Sequence, residues 1–341
     1  MRLQLFISSF LQARNMSSQA FNLSQSAYQH NESKVQVVLQ SIRTMLPPLS
    51  SDRHKGQSGR IAIIGGCFEY TGAPYFAGIS ALRTGGDLSH IFCTADAGIP
   101  IKTYSPELIV HPMLDHQNAV NIFDEWLPRM HCLVIGPGLG RDDEVVETVK
   151  KIIAKAKAKQ VNIVIDADGL YIVTKYPDII KGYKFAILTP NKVEFSRLYS
   201  TLMGKSPDAN LGVSNTKDVA NALGNVTIVQ KGSRDIISNG IEDLICDAAG
   251  CSRRCGGQGD ILSGSMGTFL HWARTNEKET SRNDSRMNTL SPTLTAAYAA
   301  CLLVKTCAEA AFKLKGRSMI VSDLIDIIHP SFQLLYENSK L

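Results

Sequence analysis

The chain has 341 residues, 44% of them hydrophobic, and a formal net charge of +5, which is length and apolar content enough for one large α/β domain or two modest ones. The small excess of charge comes from dispersed lysines and leaves no footprint for nucleic acid. The eight cysteines lack the density of a disulfide scaffold and suit a reducing compartment.

In chain order, residues 1–31 contain no acidic side chain and place Arg2 and Arg14 among Ser, Gln and apolar residues, the pattern of a mitochondrial presequence. Met16 offers a second start that would leave a cytosolic form, so cytoplasm and mitochondrion both stay open. The expected organisation is an N-terminal extension over residues 1–45 and a single domain over 46–338. After Pro47-Pro48, an apolar strand over residues 60–64 stops at Gly65-Gly66. Comparable runs cover 88–94, 132–136, 161–166, 185–189 and 226–230, each apolar without alternation and so suited to burial on both faces. Helical patterns fall between them at 74–83, 143–159, 192–203 and 216–223. Strands alternating with helices predict a three-layer α/β/α fold with a central, mostly parallel sheet. The basic run 150–159 reads as an amphipathic surface helix, and 294–314, interrupted by Lys305 and Glu309, as a buried helix rather than a membrane span. Residues 275–291 read as a mobile loop between two C-terminal helices.

Ligands of such sheets bind outside the carboxyl ends of the strands, where this sequence gathers its polar and glycine-rich turns. Gly136-Pro137-Gly138-Leu139-Gly140 fails the dinucleotide spacing because position 141 is Arg; it is either a backbone surface open to a bulky ligand or a tight strand-to-helix turn. Asp166 and Asp168 form a carboxylate pair suited to a ligand hydroxyl or a metal, or a simple Asp-Gly turn. Asn191 and Glu194 fit a capping box and equally a site that holds Mg²⁺ through water. Lys231 could neutralise phosphate or sit in a solvated turn ahead of the Asn239-Gly240 hairpin signal. Cys251 and Cys255 lack a second pair at zinc spacing. Cys255-Gly256-Gly257-Gln258-Gly259-Asp260 is a glycine-rich turn at a helix start, an anion cradle with a carboxylate at its mouth. Asp260 is then either a base for an acceptor hydroxyl or the helix cap.

Taken in order, these segments resemble the ribokinase-like superfamily, and within it the ATP-dependent NAD(P)H-hydrate dehydratases. The resemblance rests on His54-Lys55-Gly56-Gln57-Ser58-Gly59-Arg60, Tyr70-Thr71-Gly72-Ala73-Pro74-Tyr75, Gly136 to Asp142, Asp166-Ala167-Asp168-Gly169-Leu170, Asn191 to Leu198, Lys231 to Asp235 and Arg253 to Asp260. It implies ATP-driven dehydration of the S epimer of hydrated NADH or NADPH, with release of ADP and phosphate and with Mg²⁺ as cofactor. It further implies Asp260 as the base, with Gly257 and Gly259 among the backbone donors that stabilise the transferring phosphoryl group. Gly138, Gly140 and Asn191-Lys192-Val193-Glu194-Phe195-Ser196-Arg197 would line the hydrate pocket. Lys231-Gly232-Ser233-Arg234-Asp235 and Gly250-Cys251-Ser252-Arg253-Arg254-Cys255-Gly256-Gly257-Gln258-Gly259 would hold ATP. Cys67, where the family often has Ser, and Gly86, where it often has Ala, are departures that remove no charge. The chain has no room for a fused epimerase domain, so a separate NAD(P)H-hydrate epimerase is the expected functional partner, with a homo-oligomer left open. No nucleic acid or membrane partner is expected.

Overall fold

The computed structural model describes residues 32–283 and 290–337; the stretch read as a presequence lies outside them. The chain divides into two compact units, one ending at Gln40 and one from Ser41 onward. In the first, the described residues belong to helix α1 (Glu32–Met45), which runs on into the second unit.

The second unit is built on a nine-stranded sheet in the order β3-β2-β1-β4-β5-β6-β7-β8-β9. Its strands are β1 (Arg60–Ile64), β2 (Leu88–Cys93), β3 (Leu108–Pro112), β4 (Cys132–Ile135), β5 (Asn162–Ile165), β6 (Ala186–Leu188), β7 (Thr227–Gln230), β8 (Asp235–Ser238) and β9 (Asp243–Cys246). From β3 across to β7 every pairing is parallel, and β8 and β9 add an antiparallel hairpin at the edge. The outward strand order reverses at β1 and β4, the geometry that opens a crevice at the carboxyl ends. Asn239-Gly240 forms the hairpin turn, with Gly240 at φ +85°.

Strand residues alternate between two cores, as a period of two requires. Ala62, Ile64, Leu133, Ile135, Ile163, Ile165 and Leu188 join one cluster with Val145, Val149 and Ile152 of α5 (Asp143–Ala158), Phe195 and Leu198 of α7 (Lys192–Met203), and Val219 of α8 (Gly212–Ala222). The intervening Ile61 and Val134 face α9 (Gln258–Asn283), whose Gly267 lies against both. Because both faces are covered, the strands carry no polar alternation, which is why they read as continuous apolar runs. In α5 the buried Val145, Val149, Ile152 and Ala156 fall on one face, while Lys151 is exposed and Lys150, Lys155 and Lys157 are half-buried, as expected of an amphipathic helix. Asp142 caps it by accepting from the Glu144 and Val145 amides.

Two expectations need amendment, over residues 275–283 and at Asp260, while the buried helix expected over 294–314 is observed. Residues 275–283 are not loop: α9 continues through them to Asn283, because the apolar face established at Ile261 and Phe269 carries the polar tail on as helix; residues 284–289 lie outside those described. Asp260 is not the cap of α9, which already begins at Gln258 and leaves Asp260 in its first turn. Residues 292–318 are long and apolar enough to cross a membrane, yet 72% of the apolar window is buried inside the protein, where α10 (Pro292–Lys315) packs on α9. Finally, α3 (Ala95–Tyr104), α4 (Ala119–Trp126), α6 (Ala167–Lys175) and β3 add short elements to those that the sequence pattern predicts.

Helix α9 positions everything that follows, and it does so by close approach. A Cβ at Gly264 would collide with the Ala77 carbonyl of α2 (Gly72–Thr84), so the two helices meet with no side chain between them. Gly264→Ala is therefore expected to cost about 1–3 kcal/mol by overpacking, read as a lower midpoint in urea unfolding with an unchanged m-value.

Candidate active site

The loops after β5, β6 and β7 converge beneath the N-terminus of α9. Asp166 follows β5 and is 2% exposed. Its Oδ1 accepts from the Lys231 ammonium, which follows β7, at 2.7 Å and from the Thr189 hydroxyl, which follows β6, at 2.9 Å. The Lys231 amide donates to the Pro190 carbonyl at 2.8 Å, so the β6 and β7 ends are also joined through backbone. A Cβ added at Gly259 would stand 3.4 Å from Asp166 Oδ2 and 3.5 Å from Lys231 Nζ. The ion pair thus lies directly under the first turn of α9, whose free amides and dipole favour negative charge in front of it.

Asp260 projects from that turn, half-buried. Burial pushes its carboxyl up to about 7, the negative Asp166 adds to the shift, and Lys231 opposes it. Burial works against the Lys231 ammonium, but Asp166, Glu194 and Asp260 outweigh it and hold its affinity for the proton above the ordinary lysine value. A carboxyl near neutrality beside a firmly charged ammonium is the arrangement of a general base with an anion-binding neighbour.

Asn191 and Glu194 form the expected capping box: Asn191 Oδ1 accepts from the Val193 and Glu194 amides, and Glu194 Oε2 accepts from the Asn191 amide at 2.7 Å. Burial raises the Glu194 carboxyl, with Lys231 pulling it back. Only one of its oxygens is engaged in the cap. Among the described residues no three His, Cys, Asp or Glu side chains are placed to enclose a metal ion. Three carboxylates around one ammonium would repel a bare polyphosphate, so this donor set fits a hydrated divalent cation carried on phosphate oxygens, with Glu194 reaching it through water.

The remaining sequence candidates divide by exposure. Asn191, Lys192, Val193 and Arg197 are exposed and Ser196 is half-buried, but Phe195 is 1% exposed and sits in the core, leaving only its backbone near the site. Gly138, at φ +60°, is buried beneath the Tyr70 backbone and Cβ, whereas Gly140 is half-buried and donates its amide to Asp168 Oδ2 at 3.1 Å. Asp168 also receives Arg141 Nε at 3.1 Å, so it fastens the Gly136–Gly140 loop instead of pairing with Asp166. In the β7–β8 turn Gly232, Ser233 and Arg234 are exposed. Asp235 faces inward, accepting from the Gly232 amide at 2.8 Å and standing 3.4 Å from Lys305 of α10.

The segment from Gly250 to Gly259 has its own internal brace. The Gln258 amide nitrogen donates to the Arg253 carbonyl at 3.2 Å and lies 3.4 Å from the Cys255 sulfur and 4.0 Å from that of Cys251. Gly250, Ser252, Arg254 and Gly256 are exposed. Gly257 adopts φ +91° with Val321 and Phe76 against it, a conformation that admits little but glycine.

Sequence reasoning did not anticipate Thr189 as a partner of Asp166, or Lys305 as the clamp of the 231–235 turn, where its ammonium also donates to the Gly232 and Ser233 carbonyls. A Thr directly before Pro190-Asn191 at a strand end was the available signal for the first. Nothing local marks the second, because Lys305 lies 72 residues from Ser233 in a mostly apolar helix. Without its cation Asp235 is a carboxyl at 6% exposure with no charge to balance it. Burial already raises its pKa and Lys305 restrains the rise, so Lys305→Met raises it further and the penalty grows as pH climbs and the carboxyl must ionise. The expected loss is about 3 kcal/mol near pH 8, shrinking toward pH 5, measured by urea unfolding at both.

A sequence family described as NAD(P)H-hydrate dehydratase matches residues 61–330. The ATP-dependent (S)-NAD(P)H-hydrate dehydratase of Homo sapiens is 51% identical over 308 residues, covering 90% of this chain and 87% of that protein. Among solved structures, a ribokinase-like superfamily protein from Enterococcus faecalis superposes with a TM-score of 0.69 at 19% identity, covering 88% of this chain and 95% of that one. The ADP/ATP-dependent NAD(P)H-hydrate dehydratase from Bacillus subtilis, co-crystallised with ATP and Mg²⁺, superposes at 0.64 and 20% identity, covering 87% and 97%. The two structural likenesses establish the three-layer fold.

Proposed function

The chain belongs to the NAD(P)H-hydrate dehydratase family, and we propose that it carries out ATP-dependent dehydration of (S)-NAD(P)H hydrate through Asp260. The enzyme restores NADH or NADPH and releases ADP and phosphate. The observation that carries the assignment of Asp260 is its place: a half-buried carboxyl with a pKa near 7, in the first turn of α9 and above the Lys231–Asp166 pair.

The geometry divides the work among this chain's own residues. Ionised Asp260 takes the proton of the ring hydroxyl, whose oxygen attacks the γ-phosphorus of ATP while the bond to ADP breaks. The backbone amides of Gly256 to Gly259 and the dipole of α9 stabilise the charge on the transferring group, a contribution of about 3–4 kcal/mol per well-placed donor in comparable sites. Phosphorylation turns a poor leaving group into a good one: the ring carbon–oxygen bond breaks and phosphate leaves with its electron pair, while the adjacent ring carbon gives up a proton and its C–H electrons form the ring double bond. Lys231 supplies positive charge beside the phosphoryl group, and the exposed Gly232-Ser233-Arg234 turn and Arg254 flank the path of the nucleotide. The exposed face of Asn191, Lys192 and Arg197 receives the hydrate. Glu194 would hold Mg²⁺ through water, and the ion would supply positive charge to screen the phosphates. Since only the S epimer is consumed, the protein works alongside a separate NAD(P)H-hydrate epimerase that keeps both epimers in exchange.

Incubating the purified protein with the hydrates, ATP and Mg²⁺ should restore the absorbance of the reduced nicotinamide. No recovery with either hydrate, together with turnover of a thiazole alcohol, would reassign the site to a small-alcohol kinase. Asp260→Asn is expected to keep ATP binding and to lose at least two orders of magnitude in turnover, and near-normal activity would remove Asp260 from the role of base. A base must be ionised to act, so kcat/KM should fall as pH drops through about 7.

A further inference from the structure

We propose that Asp166 is a positioning residue for this reaction: its carboxylate anchors the Lys231 ammonium under the Gly256–Gly259 turn and so governs when Asp260 acts as a base. The inference rests on the reading of Asp260 as that base.

Asp166 is 2% exposed, more deeply placed than any ligand of the crevice could require, and its Oδ1 is saturated by Lys231 and Thr189. Its Oδ2 is turned toward Gly259, one residue before Asp260. The carboxylate therefore acts in two ways on the turn above it. It fixes the Lys231 ammonium at 2.7 Å, which keeps that cation on the β5 side of the site. It also sets its own negative charge close to Asp260. Buried charges separated by little water interact strongly, so the two carboxylates and the ammonium behave as one coupled unit.

The charged groups that act on Asp260 are Asp166 after β5 and Lys231 after β7. Glu194 at the start of α7 bears on Lys231. Within the first turn of α9 the neighbours Gln258, Gly259, Ile261 and Leu262 carry no charge, and α2 presents Phe76 to the turn at Gly257 and Ala77 at Gly264. With so few charges in play, the signs are determinate. Removing the Asp166 charge takes away a repulsion and leaves the Lys231 charge uncompensated, and both changes favour ionised Asp260. Removing the Lys231 charge leaves two carboxylates facing each other and favours a shared proton.

The test is the pH dependence of kcat/KM for hydrate dehydration at saturating ATP, in wild type, Asp166→Asn and Lys231→Met, with thermal melting of each. Asp166→Asn should move the acid limb down by about one pH unit, and Lys231→Met should move it up by a similar amount. A structural defect alone would lower activity at every pH and leave both limbs in place. An unmoved limb in Asp166→Asn with a melting temperature close to wild type overturns the inference. If Asp166→Asn does not fold, the Lys231→Met profile decides, upward displacement supporting the inference and an unmoved limb overturning it. Wild-type protein without dehydratase activity, or an active Asp260→Asn variant, would instead defeat the reading of the site on which the inference stands.

Discussion

The ion pair between Lys231 and Asp166 is the constraint around which the site is organised. A carboxylate at 2% exposure has to be paired and hydrogen-bonded, or the desolvation cost of several kcal/mol goes uncompensated. Its partners come from the ends of two other strands, Thr189 after β6 and Lys231 after β7. Satisfying one buried charge therefore locks three adjacent strand ends into register at the carboxyl edge of the sheet. Helix α9 then lands on that locked floor, and glycine at position 259 leaves the pair uncovered where a Cβ would stand in van der Waals contact with both Asp166 and Lys231.

Around this floor, polar groups fall into those spent on holding loops and those left for chemistry. Asp168 with Arg141 holds the Gly136–Gly140 loop, Asp235 with Lys305 holds the β7–β8 turn, and Gln258 braces the segment before α9. Several residues that the family resemblance places in the binding site contribute through this holding. Asp260 makes no such bond with its carboxylate, and the exposed Lys192, Arg197 and Arg254 face solvent. A rigid, internally satisfied scaffold beneath a few uncommitted groups is what catalysis by positioning and charge stabilisation demands.

The legibility of the chain followed from how local each signal was. The strands at β1, β4, β5 and β7 were readable because burial on both faces makes them continuously apolar, and α5 because its lysines alternate with a buried face at helical spacing. The capping box at Asn191 and Glu194 is a contact across three residues, so its sequence pattern nearly is its structure. The length of α9 was misjudged because residues 275–283 are polar and gave no apolar periodicity, although the helix established upstream carries them. Whether Asp260 caps α9 or lies within it stays open in the sequence for a related reason: with glycine at both 257 and 259 nothing local says on which residue the helix begins.

By itself the sequence determined the α/β class, the gathering of glycine-rich and polar turns at strand ends, and, through an ordered series of motifs, the family and its chemistry. These rest on short-range spacing and on residue types that admit few alternatives. Tertiary structure alone decided that Asp166 pairs with Lys231 across 65 residues and not with neighbouring Asp168, that Phe195 belongs to the core, and that Asp260 is pressed toward neutrality by burial and by Asp166. A side chain's partner and its solvation depend on which strand ends the sheet order sets side by side, and no spacing along the chain records that order.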